Sequence, residues 1–284
     1  MTDDSAGSTG QDDHENDPFT IDTSVAHPAR IQNYLAGGDG HFAADRSAVD
    51  DFGSALPGGI SDARASVRSL GSFMARTVNY LIVELGVRQF LNIGATVPTV
   101  KKVHEVAHQV APDSRFVYVG DDPVVLAHAH KLRASTYDGA TEYVHATIRD
   151  TEMILKQSAP PLDLDQPVAV LLLTTLNFVP DSDEPVRLLR DLVDALAPGS
   201  CVTIAHSSYD FNAEGMREAS AKLAKALKQA WVVRTYDEID RFFEGLAMVE
   251  PGLVPIDDWH PSGNAPMPHS ARPVPIFGGI GQKV

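Results

Sequence analysis

From Gly86 to His130 the chain reads GVRQFLNIGATVPTVKKVHEVAHQVAPDSRFVYVGDDPVVLAHAH. This is strand, tight glycine loop, helix, strand, loop and helix: Gln89–Ile93, Val100–Ala111, Arg115–Val119 and Pro123–Arg133. Strands that alternate with helices join a mainly parallel sheet with helices on both faces. The segment therefore forms the first half of a nucleotide-binding type of sheet.

The alternation continues downstream. A short strand near Glu142–His145 precedes a helix near Asp150–Gln157. The run Pro167–Leu173 is unbroken in its apolar character, as expected for a strand buried on both faces. Helix Glu184–Leu196 stops at Pro198–Gly199, followed by strand Ser200–Ala205 and helices Ala213–Ala230 and Tyr236–Glu244. Leu246–Glu250 and Pro275–Ile280 supply the closing strands, with a Pro-rich loop between them.

Upstream, Ile21–Arg46 reads as a short helix ended by a glycine turn. Pro28 suits its first turn and Gly37–Gly38 its stop. Asp62–Leu85 is a longer helix that Asp62 can cap, with Val67, Leu70, Phe73, Met74, Val78, Leu81 and Ile82 at helical spacing. Residues 1–18 are acidic and polar and are read as a disordered tail. Residues 19–85 are read as a helical cap and 86–284 as the sheet domain.

Charge narrows the function. The formal net charge of −15 disfavours nucleic acid as a partner. No apolar run approaches the roughly 20 residues of a membrane helix, and the acidic start is unlike a secretory signal. Cys201 is the sole cysteine, so no intrachain disulfide or thiolate zinc cluster can form. A cytoplasmic address follows by elimination, and a homodimer is a candidate assembly.

Ligands of such sheets bind at the carboxyl ends of the strands, near the switch in strand order. That gathers Asn92–Thr96, Gly120–Asp122, Ala146–Arg149, Thr174–Phe178 and His206–Asp210 around one cleft. A separate pattern, His104-Glu105-x-x-His108, has the spacing of a zinc peptidase helix, with His128 or His130 as a third ligand. Lys102, where the longer peptidase pattern prefers an uncharged residue, and the apolar face of Val103, Val106, Ala107 and Val110 favour an ordinary sheet-packing helix, and no metal is expected. A zinc hydrolase is the distant alternative.

Several stretches carry a resemblance: DTSVAHPARIQNYLAGGDGHFAADR, GVRQFLNIG, PTVKKVHEVAHQVAPDSRFVYV, DDPVVLAHA, PVAVLLLTTLNFVPD, LAPGS and VEPGLVP. With them the chain resembles a bacterial family of S-adenosylmethionine (SAM)-dependent methyltransferases long known only as a domain of unknown function. The likeness runs from about Asp22 to Gly281. It implies an α/β, Rossmann-like class I methyltransferase: a seven-stranded, mostly parallel sheet with an N-terminal helical cap over a SAM cofactor.

The resemblance also places the cofactor. The implied contacts are Asn92, Gly94, Ala95, Thr96, Gly120, Asp121, Asp122, Thr147, Ile148, Thr175 and Asn177. Several depart from the family pattern. Asn92 stands for an acid, Thr96 for a second glycine, Gly120 for the acid that holds the ribose, Thr147 for an acid near adenine and Asn177 for a histidine. Loss of the ribose carboxylate alone costs about ten- to a hundredfold in affinity, although Asp121 can take that role by a one-residue shift. The pattern predicts a weakened or remodelled cofactor site. The second reading is a methyltransferase-fold protein that no longer transfers methyl groups and binds another ligand or catalyses a different reaction.

Methyl transfer needs in-line alignment of donor and acceptor, and a base where the acceptor carries a proton. His206, at the end of the fifth strand, is the first candidate base, followed by Asp39 and His41 on the glycine turn. Tyr34, Phe178 and Tyr209 are candidate pocket walls. Arg30 either binds the methionine carboxylate of SAM or pairs with an acid such as Asp22.

Overall fold

The computed structural model describes residues 21–94, 103–122, 141–259 and 273–284. The predicted tail, the predicted helix over 123–133, and Ala95, Thr96, His128 and His130 lie outside these residues.

Among the described residues eight strands form one sheet: β1 Gln89–Ile93, β2 Arg115–Gly120, β3 Thr141–His145, β4 Val168–Leu173, β5 Cys201–Ser207, β6 Ala247–Met248, β7 Val254–Pro255 and β8 Ile276–Gln282. Their order is β3-β2-β1-β4-β5-β8-β6, with β7 also on β8. The first five strands are parallel, and β8 runs antiparallel to β5. The seven expected strands are joined by β7, a two-residue strand too short to leave a pattern.

Helices in chain order are α1 Pro28–Leu35, α2 Ala43–Gly53, α3 Ile60–Val83, α4 Val103–His108, α5 Thr151–Ser158, α6 Pro185–Asp194, α7 Ala213–Leu227 and α8 Tyr236–Asp240. Among the described residues none is long and apolar enough to cross a membrane. The N-cap of α3 is Gly59, at φ 61°. Asp62 instead accepts the Gly58 N–H at 2.7 Å, so it fastens the preceding loop inside the first turn.

Alternation along the strands sorts their side chains to two faces. Leu91, Ile93, Val117, Val119, Val170 and Leu172 pack with Ile154 of α5 and Leu189 and Leu192 of α6. Phe90, Phe116, Ala169, Leu171 and Ala205 pack with Phe73, Met74, Val78 and Leu81 of α3 and with Val103 and Val106 of α4. A third apolar cluster joins the N-terminal helices to α7 through Ile31, Ala48, Val49, Leu223 and Leu227.

Gly278 of β8 marks how closely α3 meets the sheet. A Cβ there would lie 2.7 Å from Phe73 Cζ, 2.8 Å from Ile256 Cγ2 and 3.1 Å from the Ile204 carbonyl oxygen. Gly278→Ala should cost about 1–3 kcal/mol through overpacking. Urea unfolding should show a lower midpoint at unchanged slope; an unchanged midpoint would contradict this packing.

Candidate functional site

Strand β1 has β2 on one side and β4 on the other, so the chain leaves it in opposite directions and a crevice opens at the strand tips. Gly94 ends β1 at φ 81°, and its N–H donates to the Val119 carbonyl at 2.9 Å. A Cβ on Gly94 would fall 2.5 Å from Thr175 Oγ1. That hydroxyl donates to the Ile93 carbonyl at 2.5 Å. Backbone and packing both require glycine here.

Thr174, at the tip of β4, holds φ 69°, ψ 6°. This left-handed conformation is an outlier for a β-branched residue, and such strain concentrates at functional sites. Its N–H donates to the Ala205 carbonyl at 2.9 Å. Its hydroxyl accepts from Gln32 Nε2 of α1 at 3.4 Å.

A cluster of charges ties the N-terminal helices to the tip of β2. His27 Nδ1 lies 2.7 Å from Asp122 and its Nε2 lies 3.7 Å from Asp121. Arg30 Nε lies 3.3 Å from Asp122 and 3.9 Å from Asp45. Asp45 is fully buried and accepts the N–H groups of His27 at 2.9 Å and Phe42 at 2.7 Å. Burial opposes a charge on His27, but hydrogen bonds to Asp121 and Asp122 outweigh it and raise its pKa to about 9. Asp121 is held below the usual carboxylate range, first by its hydrogen bond to His27. Asp122 is 2% exposed, whereas the Asp121 side chain is 56% exposed. One acid is buried against the cap and the other is open to solvent.

Beside Thr174 opens a cavity of about 490 Å³ between α1, α2, α3, α7 and the segment 273–276. Phe178 lines it, together with Gln32, Thr174 and Ser207. Tyr34, Asp39, His41 and Tyr209 are not among its lining residues. His41 contacts Arg46 at 3.1 Å and stands edge-on to Tyr34; Asp39 is exposed. Tyr209 lies under the Arg217 guanidinium.

The expectation for His206 is corrected. Its imidazole is fully buried. Arg234 Nη1 lies 2.8 Å from Nε2, and Nδ1 lies 2.8 Å from the Ser207 carbonyl. An arginine can only donate, so Nε2 accepts and Nδ1 carries the proton. Burial first, then the Arg234 charge, push its pKa down to about 3. The lone pair a base would use is already taken. Arg234 also bonds the carbonyls of Leu176 and Val179 and the Asp181 carboxylate, which fixes the turn after β4.

Other expected contacts serve the scaffold. Asn177 is buried; its Nδ2 donates to the Val232 carbonyl at 2.6 Å and lies 3.3 Å from His206 Nδ1. Thr147 donates through its N–H and hydroxyl to Asp150, both at 2.9 Å, at the start of α5. Ile148 sits in the main core. By alternation Asn92 shares a face with Phe90, toward α3 and α4. The Arg30 guanidinium is spent on Asp122, Asp45 and the carbonyls of Asp22 and Val25, which corrects its reading as a cofactor ligand.

The rings of His104 and His108 make scaffold contacts. His104 Nδ1 lies 2.8 Å from the Tyr118 hydroxyl and His108 Nε2 lies 3.0 Å from the Ser114 carbonyl. Among the described residues no group of three His, Cys, Asp or Glu could hold a metal.

Comparison with known proteins agrees with this geometry. Residues 14–284 match the model of the S-adenosyl methyltransferase family. A DUF574 family protein from Streptomyces avermitilis is 35% identical, with TM-score 0.86, covering 93% of this chain and 100% of its own. A proposed methyltransferase from Thermobifida fusca is 32% identical, with TM-score 0.82, covering 92% and 96%. No curated protein matches the chain.

The His27 clamp has a pH signature. Its folded pKa of about 9 lies above the ordinary 6.5. The stability it adds is therefore complete below pH 6.5 and is lost as pH rises through about 9. Wild type should lose melting temperature between pH 6.5 and 9.5. His27→Gln should melt lower at pH 6.5, by about 1.5–3 kcal/mol of stability, and the gap should narrow by pH 9.5. Parallel melting curves would refute the clamp.

Proposed function

The chain belongs to the S-adenosyl methyltransferase family, and from that membership we propose that it transfers the methyl group of SAM to a small-molecule acceptor. The observation that carries the reading is one juxtaposition. The glycine turn at the tip of β1 meets Thr175, and the adjoining Thr174 opens onto the cavity beneath the N-terminal helices. A donor in the crevice and an acceptor in the cavity would meet at the tip of β4.

The residues present fit the cofactor. Gly94 turns the chain off β1 at a positive φ, and its missing side chain lets Thr175 pack against the turn at the tip of β1. Asp121, ionised at neutral pH and half-exposed at the tip of β2, is the carboxylate suited to the ribose hydroxyls. Gly120 leaves that role vacant, and Asp122 is spent on His27 and Arg30.

SAM supplies a sulfonium methyl whose leaving thioether is neutral, so metal assistance is not required. The protein contributes position. Gln32 and the hydroxyls of Thr174 and Ser207 can hold the acceptor's reacting group at the buried end of the cavity. Alignment of this kind supplies much of the acceleration in group transfer. With a net charge of −15, the surface suits a small molecule rather than a nucleic acid.

Calorimetric titration tests the reading. SAM and its demethylated product should both give heat with a single site. Asp121→Asn should weaken SAM by about ten- to a hundredfold while the protein stays folded, with a melting temperature lowered because Asp121 also helps to hold His27 protonated. Absence of heat at millimolar SAM, from a folded protein, would favour a relative that no longer transfers methyl groups.

A further inference from the structure

We infer that the cavity takes a largely apolar acceptor that presents one hydrogen-bonding group to Gln32 and Thr174. This assignment rests on the methyl-transfer reading and narrows its substrate.

The cavity's size, about 490 Å³, lies within the range of about 300–1,000 Å³ that encloses small organic ligands. Its walls come from six separate places in the chain: Ile31, Phe52, Leu70, Phe178, Leu223 and Ile276. Thr174, Ser207 and Ile276 are buried, whereas Ser61 and Arg68 are exposed, so strand tips form the inner end and α3 forms the mouth. The lining acid, Asp62, spends a carboxylate oxygen on the Gly58 N–H near that mouth. Among the described residues no charged side chain lines the inner end.

An acceptor with several charges or hydroxyls would lose its hydration there and find few partners. An apolar body is matched by the walls, and a single polar group is matched by the strand tips. The inner end is also the reacting end, because Thr174 adjoins Thr175, whose hydroxyl packs against Gly94. In the transfer, a lone pair on the acceptor's polar atom forms the new bond to the methyl carbon. The S–CH3 bond breaks and its electron pair stays on sulfur. A proton on the acceptor atom leaves to solvent.

Nile red, a neutral apolar dye, serves as the probe. It should bind the full-length protein at one site with blue-shifted emission. It should be displaced by 2-naphthol and not by glucose at equal concentration. Ser66 lines the cavity from α3, and Ser66→Trp should fill it and weaken dye binding at least tenfold at an unchanged melting temperature. Equal dye binding in that variant, or displacement by glucose in wild type, would overturn the assignment. SAM titrated calorimetrically into wild type separates the two readings. Heat from SAM with failure of the dye tests removes the apolar acceptor and keeps methyl transfer. Dye binding as expected without heat from SAM removes methyl transfer, and with it the cavity's role as an acceptor site.

Discussion

Strand β4, Val168–Leu173, has only apolar side chains, and five of its six residues are buried. It can be stable only with cover on both faces. The helices α5 and α6 on one side and α3 with α4 on the other provide that cover. Every parallel neighbour of β4 inherits the same demand, so their carboxyl ends must emerge together at one end of the sheet. That end carries the turns, the polar side chains and the cavity. The site is thus the place where two-sided burial stops.

Leaving the sheet there exposes polar groups to a partly dry environment, and charged side chains answer them. Arg234 gathers the carbonyls of Leu176 and Val179 and the Asp181 carboxylate, with His206 as a neutral acceptor. Arg30 and His27 do the same for Asp122 and Asp45. Buried ion pairs add little net stability over apolar packing, because desolvation offsets their attraction. Their effect is on position. The apolar contacts of Ile31, Val49, Leu223 and Leu227 press the cap onto α7 and would tolerate sliding. The clamp at β2 accepts only one placement, and with it one shape of cavity.

Much of the fold is legible because the strands that matter are continuous apolar runs. The predicted Gln89–Ile93 coincides with β1, and the cores of β2, β4 and β5 agree within a residue or two. Elements without such runs are harder to read. Helix α2, AADRSAVDDFG, offers only Ala48 and Val49 as a buried apolar pair beside a buried aspartate. The location of the site is legible too, since topology dictates it. The role of each side chain is less so. His206 does end the fifth strand, but Arg234, 28 residues later, folds back onto its ring. No local pattern announces that contact, and none announces a left-handed threonine at 174. The His27, Arg30 and Asp45 cluster was present within the motif DTSVAHPARIQNYLAGGDGHFAADR, where an isolated buried charge could have been noticed only by pairing it with Asp122.

The two consecutive acids after β2 show how a shifted carboxylate can still serve. Successive residues in extended chain point to opposite sides, and Asp121 and Asp122 divide accordingly into an outward and an inward group. Moving the acid from position 120 to 121 displaces it by one residue along the crevice. It also brings it within 3.7 Å of His27, on the segment that leads into the cap. A hydroxyl bound to Asp121 would then share that carboxylate with the clamp. Whatever draws charge from Asp121 would also loosen one of the two contacts that hold His27 protonated, and so a ligand held by that carboxylate would be coupled to the placement of the cap through a single side chain.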